Sequence, residues 1–324
     1  MEGKTVRLFP WQTLLLALAH RKKRIRKSVF RSVRTVFNFL GYDIRKTAIQ
    51  NFEISASGRQ TEVDAVRSEN SRPAKSPPEV VLVYLSVGNE GLELLENSVA
   101  SARNVGFRGK IQEFHLATEV STLEAFALIY DLDLEEIDSQ RPVELRGVQN
   151  FGEGDFALIT HLKWDAILRA LDDDHKVVIF VDSDVVFIRA FEKYFLSASS
   201  YYMAGIQSES RAFFPPAFCI GLMFFTSRAR SLLTQISAAT DSNAARGTAQ
   251  QILNELVLAN PELIFNILTL PEAVFPVGLS YSLVKGPPHP LQVHTPEVVA
   301  FHANWVLGNE GKRKMLASLG LWNV

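Results

Sequence analysis

From residue 79 onward the chain alternates short apolar runs with stretches whose apolar positions recur every three or four residues. Val80-Val81-Leu82-Val83-Tyr84-Leu85 is an unbroken apolar run, the pattern of a strand covered on both faces. Residues 92–102 follow with Leu95 and Val99 four apart, which predicts a helix. A second strand is predicted at 111–116 and a second helix at 123–130. Asp155 can cap a helix reaching Leu171, with Ile159, Leu162, Ala166 and Ala170 as its apolar stripe. Lys176-Val177-Val178-Ile179-Phe180-Val181 predicts a buried strand. Further strands are expected at 203–207, 220–225 and 298–302, and helices at 227–239, 248–259 and 309–318. Repeated strand–helix alternation implies an α/β domain with a mostly parallel sheet and flanking helices. Such sheets bind ligands beyond the carboxyl ends of their strands.

The first 78 residues have a different texture. Ile25, Val29, Val33, Val36 and Leu40 fall on one helical face, and Lys23, Arg24, Lys27, Arg31 and Arg34 on the other, with Gly41 placed to stop the helix. Residues 51–78 are polar, lack apolar periodicity and end in Arg72-Pro73-Ala74-Lys75-Ser76-Pro77-Pro78, which reads as a linker. The expected organisation is therefore a basic amphipathic arm at 1–50, a flexible linker at 51–78 and one folded domain at 79–324.

Charge sharpens that division. The whole chain carries a formal net charge of −1. Residues 1–50, however, hold twelve Lys and Arg against Glu2 and Asp43, and the remainder holds 22 basic against 33 acidic residues. A basic amphipathic helix of this kind can lie on an anionic membrane surface, each basic residue adding about 1 kcal/mol near the lipid. The alternative is a solvated helix docked on the acidic domain. Ala17-Leu18-Ala19 resembles a signal-cleavage pattern, but the dense positive charge follows the apolar stretch, which opposes export. The near-neutral balance excludes nucleic-acid binding by bulk charge. The one cysteine, Cys219, excludes an intrachain disulfide and a cysteine-based zinc site. No apolar run reaches the 18 residues of a spanning helix. Together these features suggest a cytoplasmic protein, peripheral at the inner membrane surface.

Chemistry concentrates after Val181. Asp182-Ser183-Asp184 leaves an apolar strand and is followed by Val185-Val186-Phe187. Two carboxylates facing one site repel unless a cation lies between them. Hard oxygen ligands suit Mg²⁺ or Mn²⁺, which commonly also hold a diphosphate. Surface acids ending a strand are the bland alternative, and Asp172-Asp173-Asp174 illustrates it. An aspartate-dependent phosphotransferase would also use such a pair, but the acids after Asp184 are scattered singly. Near the carboxyl end, Phe301-His302-Ala303-Asn304-Trp305-Val306-Leu307-Gly308-Asn309-Glu310-Gly311-Lys312 adds a second constellation. His302 ends a strand and can give a neutral imidazole nitrogen to a metal. Gly308 permits close backbone approach to a phosphate at a helix start, and Lys312, one turn later, can neutralise it.

These stretches resemble the nucleotide-diphospho-sugar transferases of GT-A fold, a Rossmann-like architecture, in the group that includes plant cell-wall xylosyl- and arabinosyltransferase-like proteins. The resemblance rests on 179–187, on Gly221-Leu222-Met223-Phe224-Phe225-Thr226-Ser227, on Gln250-Gln251-Ile252-Leu253-Asn254, on 270–278 and on 302–322, whose end Leu319-Gly320-Leu321-Trp322 is the most specific part. It covers residues 80–324. It implies a nucleotide-diphosphate sugar donor, a glycan or lipid-linked acceptor, a divalent cation and a retaining transfer. It implies metal ligation by Asp182, Asp184 and His302, a catalytic role for Asp182, Asp184 and Gln250, and donor contacts from Asn89, Lys163, Asp182, Asn304, Gly308 and Lys312. Asn97 is expected to be structural. An inverting reaction would instead need a carboxylate base, for which Glu209, in a loop after a strand, is the candidate. Two positions depart from the family's pattern: Cys219-Ile220-Gly221 stands where Asn-Thr-Gly is common, and Ala249-Gln250 where Asp-Gln is common. They motivate the alternative of a catalytically decayed, membrane-recruited binding protein.

Overall fold

The computed structural model describes residues 80–137, 156–171, 177–209, 217–242, 247–278, 293–306 and 308–324. The basic arm, the linker, Asp155 and the Asp172-Asp173-Asp174 loop lie outside them. Nine strands and seven α-helices are placed among the described residues. They are β1 (Val80–Val87), α1 (Leu92–Asn104), β2 (Lys110–Leu116), α2 (Val120–Tyr130), β3 (Leu132–Glu136), α3 (Phe156–Ala170), β4 (Val177–Val181) and β5 (Val185–Phe187). Then follow α4 (Glu192–Tyr201), β6 (Ala204–Ser208), β7 (Phe218–Thr226), α5 (Arg230–Ser242), α6 (Ala249–Ala259), β8 (Ile267–Leu270), β9 (Ala300–His302) and α7 (Gly308–Ser318). No described helix is long and apolar enough to cross a membrane.

The main sheet has the order β3-β2-β1-β4-β7-β6-β8. Neighbours are parallel except where β7 meets β4 and β6. The expected α/β architecture with a mostly parallel sheet is therefore observed, with one antiparallel strand at its centre. Both faces are covered. On one, Trp164, Phe180, Phe225 and Leu233 pack together. On the other, Leu95, Phe107, Phe195 and Phe224 do. This two-sided burial is why β1, β4 and β7 read as continuous apolar runs.

Four elements escape periodicity. β3 carries Asp133, Glu135 and Glu136 and stands at the sheet edge, where Lys110 and Arg169 pair with Asp133 and Glu135. β8 is a four-residue edge strand and β5 a three-residue one. α4 contains Ser197, Ser199 and Ser200, poor helix formers. It is held by Phe195, whose ring packs against Phe191, Phe224 and Phe275. The helix expected at 227–239 instead begins with a tight turn at Ser227–Ala229 and runs as α5.

A small second sheet positions the candidate site. β5 pairs antiparallel with β9, placing Val185 opposite His302. The Ala303 N–H donates to the Asp184 carbonyl. The two segments singled out in the sequence, 120 residues apart in the chain, are thus stitched backbone to backbone. Asn97, fully buried on α1, ties the carboxyl end to the domain: its Nδ2 donates to the Leu321 carbonyl at 3.1 Å and its Oδ1 accepts from the Asn323 N–H at 2.6 Å. Its expected structural role follows from these bonds.

Candidate metal and diphosphate site

Asp182 and Asp184 occupy a tight turn between β4 and β5, closed by the Val185 N–H donating to the Asp182 carbonyl at 3.0 Å. The Asp182 N–H donates to the Gly221 carbonyl on β7 at 2.7 Å, which fixes the start of the turn. The turn directs both carboxylates towards His302. One ligand atom from each of Asp182, Asp184 and His302 lies within 4.8 Å of the others.

Asp184 is the buried member, at 3% exposure. His302 Nε2 stands 3.1 Å from its Oδ1, and Lys312 Nζ stands 2.9 Å from its Oδ2. Burial favours the neutral acid, but the Lys312 ammonium and the His302 ring outweigh it and hold the Asp184 carboxyl well below the usual carboxylate range. Burial likewise disfavours a charged His302, yet Asp184 beside it raises the imidazole well above its ordinary value. Asp184 also raises Lys312, against the opposing effect of burial. Lys163, on α3, bonds Asp182 Oδ1 at 2.5 Å, with its ammonium 5.3 Å from the centre of the Phe180 ring.

The imidazole is oriented from behind. Gln207 Oε1 stands 3.0 Å from His302 Nδ1, and the Gln207 Nε2 donates to the Phe275 carbonyl at 3.0 Å. Because that second bond fixes the amide, the acceptor oxygen faces Nδ1 and the hydrogen belongs on Nδ1. Nε2 is then the nitrogen turned to the carboxylates. This is the arrangement by which a metal-ligating imidazole is usually held. Gly221 makes room for it: a Cβ there would lie 2.1 Å from His302 Cε1. Cys219 Sγ lies 3.5 Å from Nδ1, and Asn304 Nδ2 approaches the same sulfur at 3.6 Å. Two carboxylates and an oriented imidazole form a donor set that fits a divalent metal ion.

A second cluster adjoins the first. Glu209, 3% exposed, accepts from Gln250 Nε2 at 2.9 Å through one oxygen and from the Trp305 indole N–H through the other. Gln250 Oε1 accepts from the Ile220 N–H at 3.2 Å. Burial raises the Glu209 carboxyl, with the Trp305 and Gln250 bonds acting the other way.

Among the sequence candidates, Asp182, Asp184, His302, Lys163 and Lys312 converge directly. Gln250 and Asn304 reach the same place through Glu209 and Cys219. Gly308 opens α7 at φ +70°, with open space around it. Asn89 bonds elsewhere: its Oδ1 accepts from the Glu119 N–H at 2.6 Å, joining the loops after β1 and β2. Gly91, in that first loop, lies close to the Asn309 side chain at the start of α7. Gln207, Gly221 and Trp305 were not assigned roles from sequence. The amide of Gln207 in a buried strand is the signal available for the first; Gly221 and Trp305 lie in stretches the sequence singles out, but nothing there gives them these roles.

The family model described as nucleotide-diphospho-sugar transferase matches residues 129–316. Among solved structures, galactosyltransferase LgtC in complex with donor and acceptor sugar analogs is similar at 12% sequence identity and TM-score 0.51, covering 75% of this chain and 96% of that chain. The apo-form glycosyltransferase GlyE of Streptococcus pneumoniae TIGR4 is similar at 13% identity and TM-score 0.50, covering 74% and 60%. Mouse xyloside xylosyltransferase 1, apo form, aligns at 14% identity and TM-score 0.47, covering 70% and 98%. A search of curated proteins finds no match.

Proposed function

Since the chain belongs to the nucleotide-diphospho-sugar transferase family, we propose that it is a metal-dependent glycosyltransferase that moves a sugar from a nucleotide-diphosphate donor to a glycan or lipid-linked acceptor. The observation that carries the metal dependence is the meeting of Asp182, Asp184 and His302 within 4.8 Å. When bound there, Mn²⁺ or Mg²⁺ supplies a Lewis acid that offsets charge on the departing diphosphate. Lys312 adds a fixed positive charge beside the same carboxylate, and Lys163 another beside Asp182. Such preorganised charge is commonly the largest catalytic contribution, about 3 kcal/mol per group removed. In the transfer, the bond from the sugar's anomeric carbon to the diphosphate oxygen breaks. A bond to the acceptor hydroxyl oxygen forms, and that hydroxyl's proton passes to the departing diphosphate oxygen. Both oxygens of Glu209 are engaged by N–H donors, which supports a retaining transfer over one using Glu209 as the base.

The test is release of nucleoside diphosphate from a panel of UDP- and GDP-sugars with Mn²⁺. The full chain should turn over at least one donor, and Asp184→Asn should lose about two orders of magnitude or more. An Asp184→Asn protein that is folded and transfers at the normal rate would refute the metal assignment. Ala249, fully buried where the family commonly has Asp, favours a second reading, a donor-binding protein without turnover. Donors that raise the melting temperature only with Mn²⁺, with no release, would select that reading.

A further inference from the structure

Trp305 is the unusual residue at this site. It is 60% exposed, although it stands three residues after the buried His302. Its backbone is left-handed, at φ +62°, a conformation a bulky side chain rarely adopts. Strain of this kind persists only where the surroundings impose it. Here they do so on three sides. The Ala303 N–H is bound to the Asp184 carbonyl. The Asn304 carbonyl packs so closely on Gly278 that a Cβ there would lie 2.3 Å from its oxygen. The indole N–H is anchored on buried Glu209. The chain therefore spends a buried carboxylate and a strained turn to hold an indole in the open, with its polar edge occupied.

An indole fixed by its N–H presents a flat apolar face and no hydrogen-bonding group. The ligand that matches it beside a diphosphate site has an apolar face of C–H groups and hydroxyls around its rim, which describes a sugar ring. We propose that Trp305 is a stacking platform for a sugar ring at this site, and that Glu209 is the positioning residue that sets its angle. The inference rests on the transferase reading for the identity of the neighbouring site. The ring can belong to the acceptor or to the transferred sugar, and the experiment separates them. Gln250, on the other oxygen of Glu209, couples the platform to β7 through Ile220.

The full chain has four tryptophans. Labelled with 5-fluorotryptophan, it should give four ¹⁹F signals, each assigned by a single Trp→Phe substitution. The probes are UDP with MnCl₂, UDP-galactose and UDP-xylose with MnCl₂, and lactose and xylobiose. The Trp305 signal should move with a sugar-bearing probe, while that of buried Trp164 stays fixed. Movement with an oligosaccharide alone identifies an acceptor ring. Movement with a UDP-sugar beyond that caused by UDP identifies the donor's sugar. Trp305→Ala should weaken the responding sugar roughly tenfold. Glu209→Gln, which keeps an oxygen for the indole N–H, should preserve the response that Glu209→Ala loses. A Trp305 signal that no sugar moves, while UDP with MnCl₂ raises the melting temperature, overturns the platform and leaves the transferase reading standing. A Trp305 response to oligosaccharide with no effect of UDP and MnCl₂ by either measure does the reverse. Silence in every arm overturns both. An unchanged response in Glu209→Ala removes the positioning role.

Discussion

His302 shows how much of a site can depend on atoms that never touch a ligand. Its ring is useful only if Nε2 faces the carboxylates, and that is set by Gln207 on one side and by the missing side chain of Gly221 on the other. Gly221→Ala should push the ring away, because a methyl group 2.1 Å from Cε1 cannot be accommodated in a packed core. The expected outcome is a stability loss of about 1–3 kcal/mol and loss of the Mn²⁺-dependent stabilisation by a nucleotide sugar, read by thermal denaturation. A variant that keeps that response would show that His302 does not need this position. At this scale the sequence was uneven. Asp182 and Asp184 stand one residue apart, follow a strand and are visible as a pair. Gln207 is one polar residue in a strand, and its function depends on a histidine 95 positions away. Trp305 is legible only through its exposure, its bond to Glu209 and its left-handed backbone, none of which a local sequence rule supplies.

Among the elements, the most periodic were the easiest to anticipate: β1, β4, β7, α1 and α6 are long or fully covered, so their apolar patterns are unambiguous. β3, β5 and β8 are short and depend on a neighbouring strand, and α4 depends on an aromatic cluster assembled from distant segments. β2 carries an element-level conflict of its own. Glu113 is fully buried in this strand, opposite Tyr84 on β1. Burial pushes its carboxyl up to about 8, partly offset by Ser86. Below the ordinary value of 4.5 the acid is neutral whether the chain is folded or not. Between there and about 8 the unfolded chain releases a proton that the folded chain retains, so stability falls as pH rises across that window and levels off above it. Glu113→Gln mimics the neutral acid and should remove this decline, amounting to a few kcal/mol at most. Urea denaturation at about pH 5 and about pH 8.5 checks it. Parallel pH profiles for the two proteins would contradict the assignment.

For the whole molecule, the order of strands and the chain ends together explain where the site lies. β4 delivers the aspartates at its carboxyl end, β9 returns beside them, and α7 carries Lys312 in while Asn97 secures the segment beyond it. The specific character of Leu319-Gly320-Leu321-Trp322 has a structural counterpart here, since Leu319 and Leu321 are buried with Leu94, Phe301 and Leu316. The alternation of elements revealed the α/β class because local patterns suffice for it. The meeting of His302 with Asp184 was reachable only through the chemistry of the two segments and their resemblance to a known family, since no local pattern pairs residues so far apart. The central claim is that these residues hold a divalent cation against a sugar donor's diphosphate. Its most direct measurement is anomalous X-ray scattering at the manganese edge from crystals of the full chain grown with MnCl₂ and UDP. The account predicts a peak at about 2.0–2.3 Å from ligand atoms of Asp182, Asp184 and His302, in contact with the diphosphate. A diphosphate bound with manganese elsewhere, or with none at these three side chains, would contradict it.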